Sequence, residues 1–232
     1  AFALTNENVF DLTTQPESIA ILGGGAIGCE LAQAFSRLGT RVELFEQAPR
    51  LLPLEIPLAG ETLAQALTDS GVRLHLGEAV TSIEGPGTIH TQNGTVVCEK
   101  IMVAAGRRPN TENLNLAAAG VELDGRGFVV VDEKLRTAQS YIYAAGDCAT
   151  TLQFTHYADA QARALIQNAL FFPTAKVSGL AVPHCTYTSP EIASIGPSLE
   201  VLEQTGVAYD RYEFDLTELD RVKAKPFASS AK

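Results

Sequence analysis

The run SIAILGGGAIGCELAQAF at residues 18–35, continued by RVELFE ending at Glu46, constrains the fold of this chain more than any other stretch. Ile19–Leu22 is an unbroken apolar run, which reads as a strand buried on both faces of a parallel sheet. Gly23, Gly25 and Gly28 then occupy the glycine positions of a dinucleotide-binding turn. The first permits a tight bend, the second admits a pyrophosphate to bare backbone, and the third lets a helix pack closely on the strand. The helix that follows would offer the unpaired N–H groups of its first turn and the positive end of its dipole to the phosphates. Glu46 closes the next strand, where a carboxylate can accept hydrogen bonds from a ribose 2′-hydroxyl and would repel a 2′-phosphate, so the reading is NAD in preference to NADP. A glycine turn alone can arise for backbone reasons. Strand, turn, helix, strand and acidic residue in register give this one a chemical meaning.

Charge narrows the partners. Seventeen basic against 27 acidic side chains leave a net charge of −10, which disfavours the basic surface that tracks phosphates on nucleic acids and the polybasic contacts made with anionic membranes. No apolar stretch approaches the roughly 20 residues needed to span a bilayer, and AFALTNENVF lacks the basic region and apolar core of a signal peptide. A cytoplasmic location is the expectation. Cys29, Cys98, Cys148 and Cys185 are scattered, with no C-x-x-C and no spacing suited to zinc, so free thiols in a reducing compartment are expected and no metal site. Cys29 stands where a helix N-terminus could activate a thiol. Packing between helix and strand is the favoured role for it. His75 and His90 lie in strand-like stretches without visible partners and read as structural or surface residues.

The chain divides by pattern. Residues 1–16 read as a linker and 17–108 as one nucleotide-binding unit. Within that unit the turn-rich link QAPRLLPLEIP (47–57) leads to a helical pattern over Leu58–Ser70 that stops at Gly71, and VRLHLG (72–77) reads as a short strand. AVTSIEG and TIHTQNG, separated by Pro86-Gly87, and then Asn93-Gly94 into TVVCEKIMVAAG predict an antiparallel meander followed by a buried strand at Ile101–Ala105. Beyond Gly106 the composition turns to loop residues. FVVVDEKLRT and SYIYAAGDCA (140–149) read as further strands, Thr155–Leu170 as a helix, CTYTSPEIASIG (185–196) as strand-like, Ser198–Thr205 as a helix, and KAKPFASSAK (223–232) as a polar tail.

Asp147 thus falls at the C-terminal end of an expected buried strand, the usual ligand edge of an α/β sheet, with a helix start near Thr155 and His156 facing the same space. By itself a Gly-Asp turn is simply a satisfied turn. Residues 23–46 together with AAGRRPN (104–110), LRTAQSYIYAAGDC (135–148) and CTYTSPEIASIG, in this order and spacing, closely resemble the class I pyridine nucleotide-disulfide oxidoreductases, the family of dihydrolipoamide dehydrogenase, mercuric reductase and glutathione reductase. The likeness runs from TNENVFDL to about Val222.

The resemblance implies an α/β fold of the Rossmann-like FAD/NAD(P)-binding type with an inserted antiparallel meander, plus the start of an α+β dimerisation domain. Residues 109–172 would be the second segment of a split FAD-binding domain, and 177–232 the beginning of a C-terminal dimerisation domain that is truncated here. Gly23, Gly25, Ala26, Ile27 and Gly28 look like the NAD pyrophosphate turn. Glu30 matches the glutamate near the nicotinamide, Glu46 the ribose carboxylate, Val80 an adenosine-side contact, and Gly106 the glycine that closes over NAD. Gly146 and Asp147 resemble the second FAD signature, and Phe154, Thr155, His156 and Ala158 the helix start that meets the flavin ring. The implied activity is FAD-dependent transfer of hydride between NAD(H) and flavin and on to a redox disulfide, in a homodimer.

Departures from the pattern matter equally. The family's first FAD glycine turn, its C-x4-C redox disulfide and its His-Pro-Thr-x-x-Glu loop have no counterpart in this sequence, whose last histidine is His184. The expectation is a central piece of such an enzyme, with no catalytic residue of its own and no turnover by itself. The alternative is a flavin-free NAD-binding or interaction module. The resemblance leaves the terminal acceptor open among lipoamide, glutathione-like disulfides, mercuric ion and quinones.

Overall fold

The computed structural model describes residues 2–215, so the polar tail 223–232 and the last part of the expected dimerisation segment lie outside the described residues. Two compact units separate at Gly196/Pro197. The first carries a five-stranded parallel sheet of β1 (Ala3–Leu4), β2 (Ser18–Leu22), β3 (Arg41–Glu46), β4 (Arg73–Leu76) and β8 (Lys100–Val103), in the order β1-β8-β2-β3-β4. Helix α1 (Ala26–Arg37) connects β2 to β3, and α2 (Pro57–Asp69), which opens on a proline at its first position, connects β3 to β4. β2 registers with β3 from Ser18 opposite Arg41 to Leu22 opposite Phe45, and with β8 on its other side. The chain therefore runs outward from β2 in both directions, which creates a crevice at the C-terminal ends of β2 and β8.

Side-chain alternation explains why β2 reads as continuously apolar. Ile19 and Ile21 point to one face, where they join Val42, Leu44, Leu63, Leu67 and Met102 beneath the helices. Ala20 points to the other and meets Phe45, Ile89 and Ile101. That second face is covered by a three-stranded antiparallel sheet of β5 (Val80–Glu84), β6 (Thr88–Thr91) and β7 (Gly94–Val97), the meander expected between β4 and β8. Glu43 is fully buried on β3, and Arg41, Arg73 and His75 surround it at 3.0, 3.2 and 2.9 Å. His75 stacks on Phe45 with ring centres 4.2 Å apart, which supports the structural role read from its sequence context.

Glu78 joins this cluster to the meander. The Thr91 hydroxyl, then the Asn93 side chain, hold its carboxyl below the usual range, with His75 adding to the effect and burial opposing it. A carboxyl lowered in the folded state contributes stability that is present above its unfolded value, near 4.5, and is lost as pH falls through the folded value. Urea unfolding as a function of pH is expected to show stability declining on the acid side of that value. Glu78→Gln should flatten the decline; an unchanged acid limb in the variant would exclude Glu78 as its source.

The two apolar runs after Gly106 behave differently from the expectation. FVVVDEKLRT and SYIYAAGDCA form no regular strand; only the isolated bridges Leu123–Val129 and Arg136–Tyr143 appear. A regular strand needs a continuous ladder, and here the donors of these runs go to scattered backbone carbonyls, Val129 to Cys148, Val130 to Glu122 and Ala144 to Leu135, while side chains hold the turns beside them. Asp124 accepts the N–H groups of Arg126 and Phe128, and Asp132 those of Lys134 and Arg136. α3 (Thr155–Leu170) follows as expected. The segment after it forms a hairpin of β9 (Pro183–Thr186) and β10 (Ile192–Ile195) that docks on α1. The Gln33 amide spans Ser189, donating to its carbonyl at 3.0 Å and accepting its N–H at 2.8 Å, while Ile192 packs on the core. In the second unit, α4 (Leu199–Thr205) is capped by the Ser198 hydroxyl and by Gly206 in the left-handed conformation.

Candidate functional site

The glycine turn is shaped by contacts that exclude a side chain at two positions and leave room at a third. Gly23 has φ +116°, and a Cβ there would stand 2.5 Å from the Ala104 carbonyl oxygen. A Cβ on Gly28 would meet the Gly23 carbonyl oxygen at 1.9 Å. At Gly25 a Cβ would touch nothing within 4 Å, so the space above that residue is open. Gly25 is also the N-cap of α1, and no side chain caps the helix. The first-turn N–H groups, with Ala26 exposed and Ile27 half-buried beside them, therefore face this space with their dipole.

Glu46 is held at the rim. Its carboxylate accepts the Gly24 N–H at 2.7 Å through one oxygen and the Ala48 N–H at 2.8 Å through the other. Two of its roughly four lone-pair sites remain for hydroxyls. The Glu78 N–H donates to the Glu46 carbonyl at 3.1 Å, which returns the chain to this edge just before half-buried Val80. β8 ends beside the turn, its Ala104 N–H donating to the Leu22 carbonyl at 2.9 Å, and exposed Gly106 follows two residues on at φ +123°. The residues singled out for the dinucleotide side thus converge on one edge of the sheet. Glu30 departs from a free role: its carboxylate accepts the Tyr187 backbone N–H at 2.8 Å, which fastens the β9–β10 hairpin to α1. Cys29 is buried, donates to the Gly24 carbonyl at 3.4 Å, and has its thiol pushed up to about 12 by burial, then by Glu46 and Glu30. It is a packing residue.

The second set also converges, on different local structure from that expected. Asp147 lies exposed in a single 3-10 turn, Gly146–Cys148, rather than at the end of a buried strand, because the preceding run stays irregular and Tyr141 is 77% exposed. The Gly146 N–H donates to the buried Gln161 side chain at 2.7 Å, and Gly146 backs onto Ala158. α3 begins at Thr155 with Phe154 as N-cap and no capping side chain, so a second uncapped helix start adjoins the Asp147 turn. Arg107, one residue after Gly106, donates to the Gln153 carbonyl at 2.7 Å and joins the two sets.

A cavity of about 410 Å³ opens where the start of α3 meets the β9–β10 hairpin, lined among others by His156, His184, Cys185, Tyr187 and Ser194. Several residues that shape this region were not singled out by their sequence context: Gln33, Gln161, Glu55 and His184. Polar residues on buried helix faces were the available clue for Gln33 and Gln161. Glu55 and His184 are 129 positions apart, and only folding brings them together. Among the described residues, no cluster of histidine, cysteine and carboxylate side chains could hold a metal ion, and no helix is long and apolar enough to cross a membrane.

Comparison with known proteins agrees with this architecture. The profile of the pyridine nucleotide-disulphide oxidoreductases matches residues 2–162. A mercuric reductase from Bacillus cereus is 36% identical over 210 residues, 88% of this chain and 33% of its own length. A dihydrolipoyl dehydrogenase from Chlamydia muridarum is 37% identical over 207 residues, 88% of this chain and 44% of its own. The structure of the HOCl-induced flavoprotein disulfide reductase RclA from Escherichia coli superposes with a TM-score of 0.81 at 28% identity, covering 88% of this chain and 48% of that one. LpdA from Mycobacterium tuberculosis gives 0.78 at 31%, covering 88% and 46%. The chain spans between about a third and a half of the length of these relatives. Its parallel sheet, glycine turn and inserted meander are those of the Rossmann-like FAD/NAD(P)-binding fold, and the chain belongs to the class I pyridine nucleotide-disulphide oxidoreductase family.

Proposed function

We propose that this chain is the NAD(H)-binding central part of an FAD-dependent disulfide oxidoreductase. The observation that carries the reading is the open, uncapped start of α1 at Gly25 beside the Glu46 carboxylate, fixed 2.7 Å from the Gly24 N–H. Backbone N–H groups at residues 25–28 would hold the pyrophosphate, Glu46 the adenosine ribose and Val80 the adenine side, with Gly106 closing the edge. Glu30 and Tyr187 would border the nicotinamide. Asp147 and the α3 start from Phe154 to Ala158 would hold the flavin, across the cavity lined by His156 and Tyr187. When bound, these cofactors supply the hydride chemistry, and the protein's part is placement and electrostatics.

Onward transfer to a redox disulfide would need a cysteine pair other than the four free cysteines here. Residues 177–232 are read as the beginning of the interface domain of a homodimer. The free cysteines support a reducing, cytoplasmic location.

Calorimetry with NAD(H) and NADP(H) tests the reading. NAD(H) is expected to bind roughly tenfold or more tightly, because a 2′-phosphate would meet the Glu46 carboxylate. Glu46→Ala should narrow the gap. Arg50, the nearest cation in sequence to the Glu46 rim, is held by the carbonyls of Glu55 at 2.7 Å and Pro53 at 2.9 Å, so recruiting it to a phosphate would break both bonds. Equal or tighter binding of NADPH to the wild-type protein would defeat the proposal for NAD.

A further inference from the structure

The link between β3 and α2 does more than connect them. The Leu52 N–H donates to the Gly24 carbonyl at 2.9 Å, with Leu52 in the left-handed region at φ +46°, and buried Leu51 packs on Gly24. Three residues on, the Glu55 N–H donates to the Leu52 carbonyl at 2.9 Å, so Glu55 is held to the glycine turn through a single tight bend.

The Glu55 side chain is 12% exposed and fully engaged. His184 on β9 donates from Nε2 to one carboxylate oxygen at 2.6 Å, and the Ser194 hydroxyl on β10 donates to the other. The His184 ring lies against Phe154 at 5.4 Å and 18°, and the His156 ring against Phe154's ring at 5.5 Å and 21°. His156 in turn donates from Nε2 to the Pro183 carbonyl at 2.6 Å, next to His184. Phe154 is the N-cap of α3, so this arrangement grips the helix at its first turn.

We propose that Glu55 and His184 form a latch, completed by the Phe154 ring, that positions the first turn of α3 against the glycine turn. Both uncapped helix starts are then set by one loop. Glu55 acts as a positioning residue through His184, and the state of residues 23–28 is felt at residues 155–158 along Gly24, Leu52, Glu55, His184 and Phe154. A hydrogen bond to a carboxylate between partly buried groups suits such a task, since its strength depends on direction and not only on contact area. The part of the inference that concerns a bound ligand rests on the dinucleotide reading above; the latch itself does not.

Hydrogen exchange on the 232-residue chain tests it. The variants are Glu55→Ala, His184→Phe, which keeps a ring against Phe154 while removing the donor, and the two combined. Without ligand, each single replacement should speed exchange at residues 155–159 about tenfold and leave Ile19–Leu22 unchanged, and His184→Phe should add nothing in the Glu55→Ala background, because the same bond is already gone. With saturating NAD+, protection gained at 155–159 by the wild type should be lost in both single variants while NAD+ affinity by calorimetry stays within about threefold. Additive effects of the two replacements, or exchange at 155–159 indifferent to both, would overturn the latch whether or not NAD+ binds. NAD+ that binds the wild type without altering 155–159 would overturn the coupling. Failure of NAD+ to bind the wild type would overturn the dinucleotide reading instead, and the ligand-free comparison would still decide the latch.

Discussion

Gly28→Ala is expected to lower the stability of the protein by about 3 kcal/mol and to take dinucleotide binding below detection. The added Cβ would stand 1.9 Å from the Gly23 carbonyl oxygen, a backbone atom with no flexible end to move aside. Relief requires α1 to retreat from the end of β2, yet Cys29 and Ala32 on that helix are fully buried against the sheet. The cost therefore falls on core packing and on the turn together. Gly25→Ala is the informative contrast. Its Cβ meets nothing within 4 Å and its φ of −76° suits any residue, so stability should be unchanged while binding weakens because the methyl occupies the space a phosphate needs. Urea denaturation and calorimetry on both variants separate the two roles. A Gly28→Ala protein as stable as wild type would mean that the helix and strand are not in the close contact described.

The second large effect is expected at Glu43. Its carboxylate is fully buried between the parallel sheet and the meander, with Arg41 and Arg73 reaching in from solvent and His75 stacked on Phe45. Removing one member of such a group strands the others, and Glu43→Ala is expected to cost about 3 kcal/mol in urea unfolding. The figure is placed at the low end of the range for buried pairs because both arginine side chains are more than half exposed and can rehydrate. Arg73→Ala should cost much less, since Arg41 and His75 still satisfy the carboxylate. A loss below about 1 kcal/mol for Glu43→Ala would show that the carboxylate is not what secures this face of the sheet.

Much of the nucleotide-binding unit was legible in the sequence because its determinants are local. An unbroken apolar run implies a strand covered on both sides, glycines at fixed offsets imply a turn that excludes a Cβ at Gly23 and Gly28, and Asn93-Gly94 and Pro86-Gly87 mark the meander. The offsets of Gly23, Gly25, Gly28 and Glu46 already encode which atoms meet at the sheet edge, and the structure places them there. Legibility failed where apolar content was read as strand without a partner to pair with. FVVV and YIYAA carry strand-forming residues, but strand formation is a property of two segments, and here their donors meet isolated carbonyls, Val129 that of Cys148 and Ala144 that of Leu135, while Asp124 and Asp132 close the neighbouring turns.

By itself, then, the sequence determined the central strands β2, β3, β4 and β8, the glycine turn, an acidic residue closing β3 at Glu46 and a helix start at Thr155, since each rests on residues within a few positions of one another; it read residues 1–16 as a linker, whereas Ala3 and Leu4 pair with β8 at the edge of the parallel sheet. Only the tertiary structure decided that Glu30 holds Tyr187, that Gln33 spans Ser189, that Gln161 secures Gly146, and that Glu55 meets His184. Those bonds join segments up to 157 positions apart, and no spacing within a linear chain encodes the encounter of two polar side chains that packing of other residues brings together.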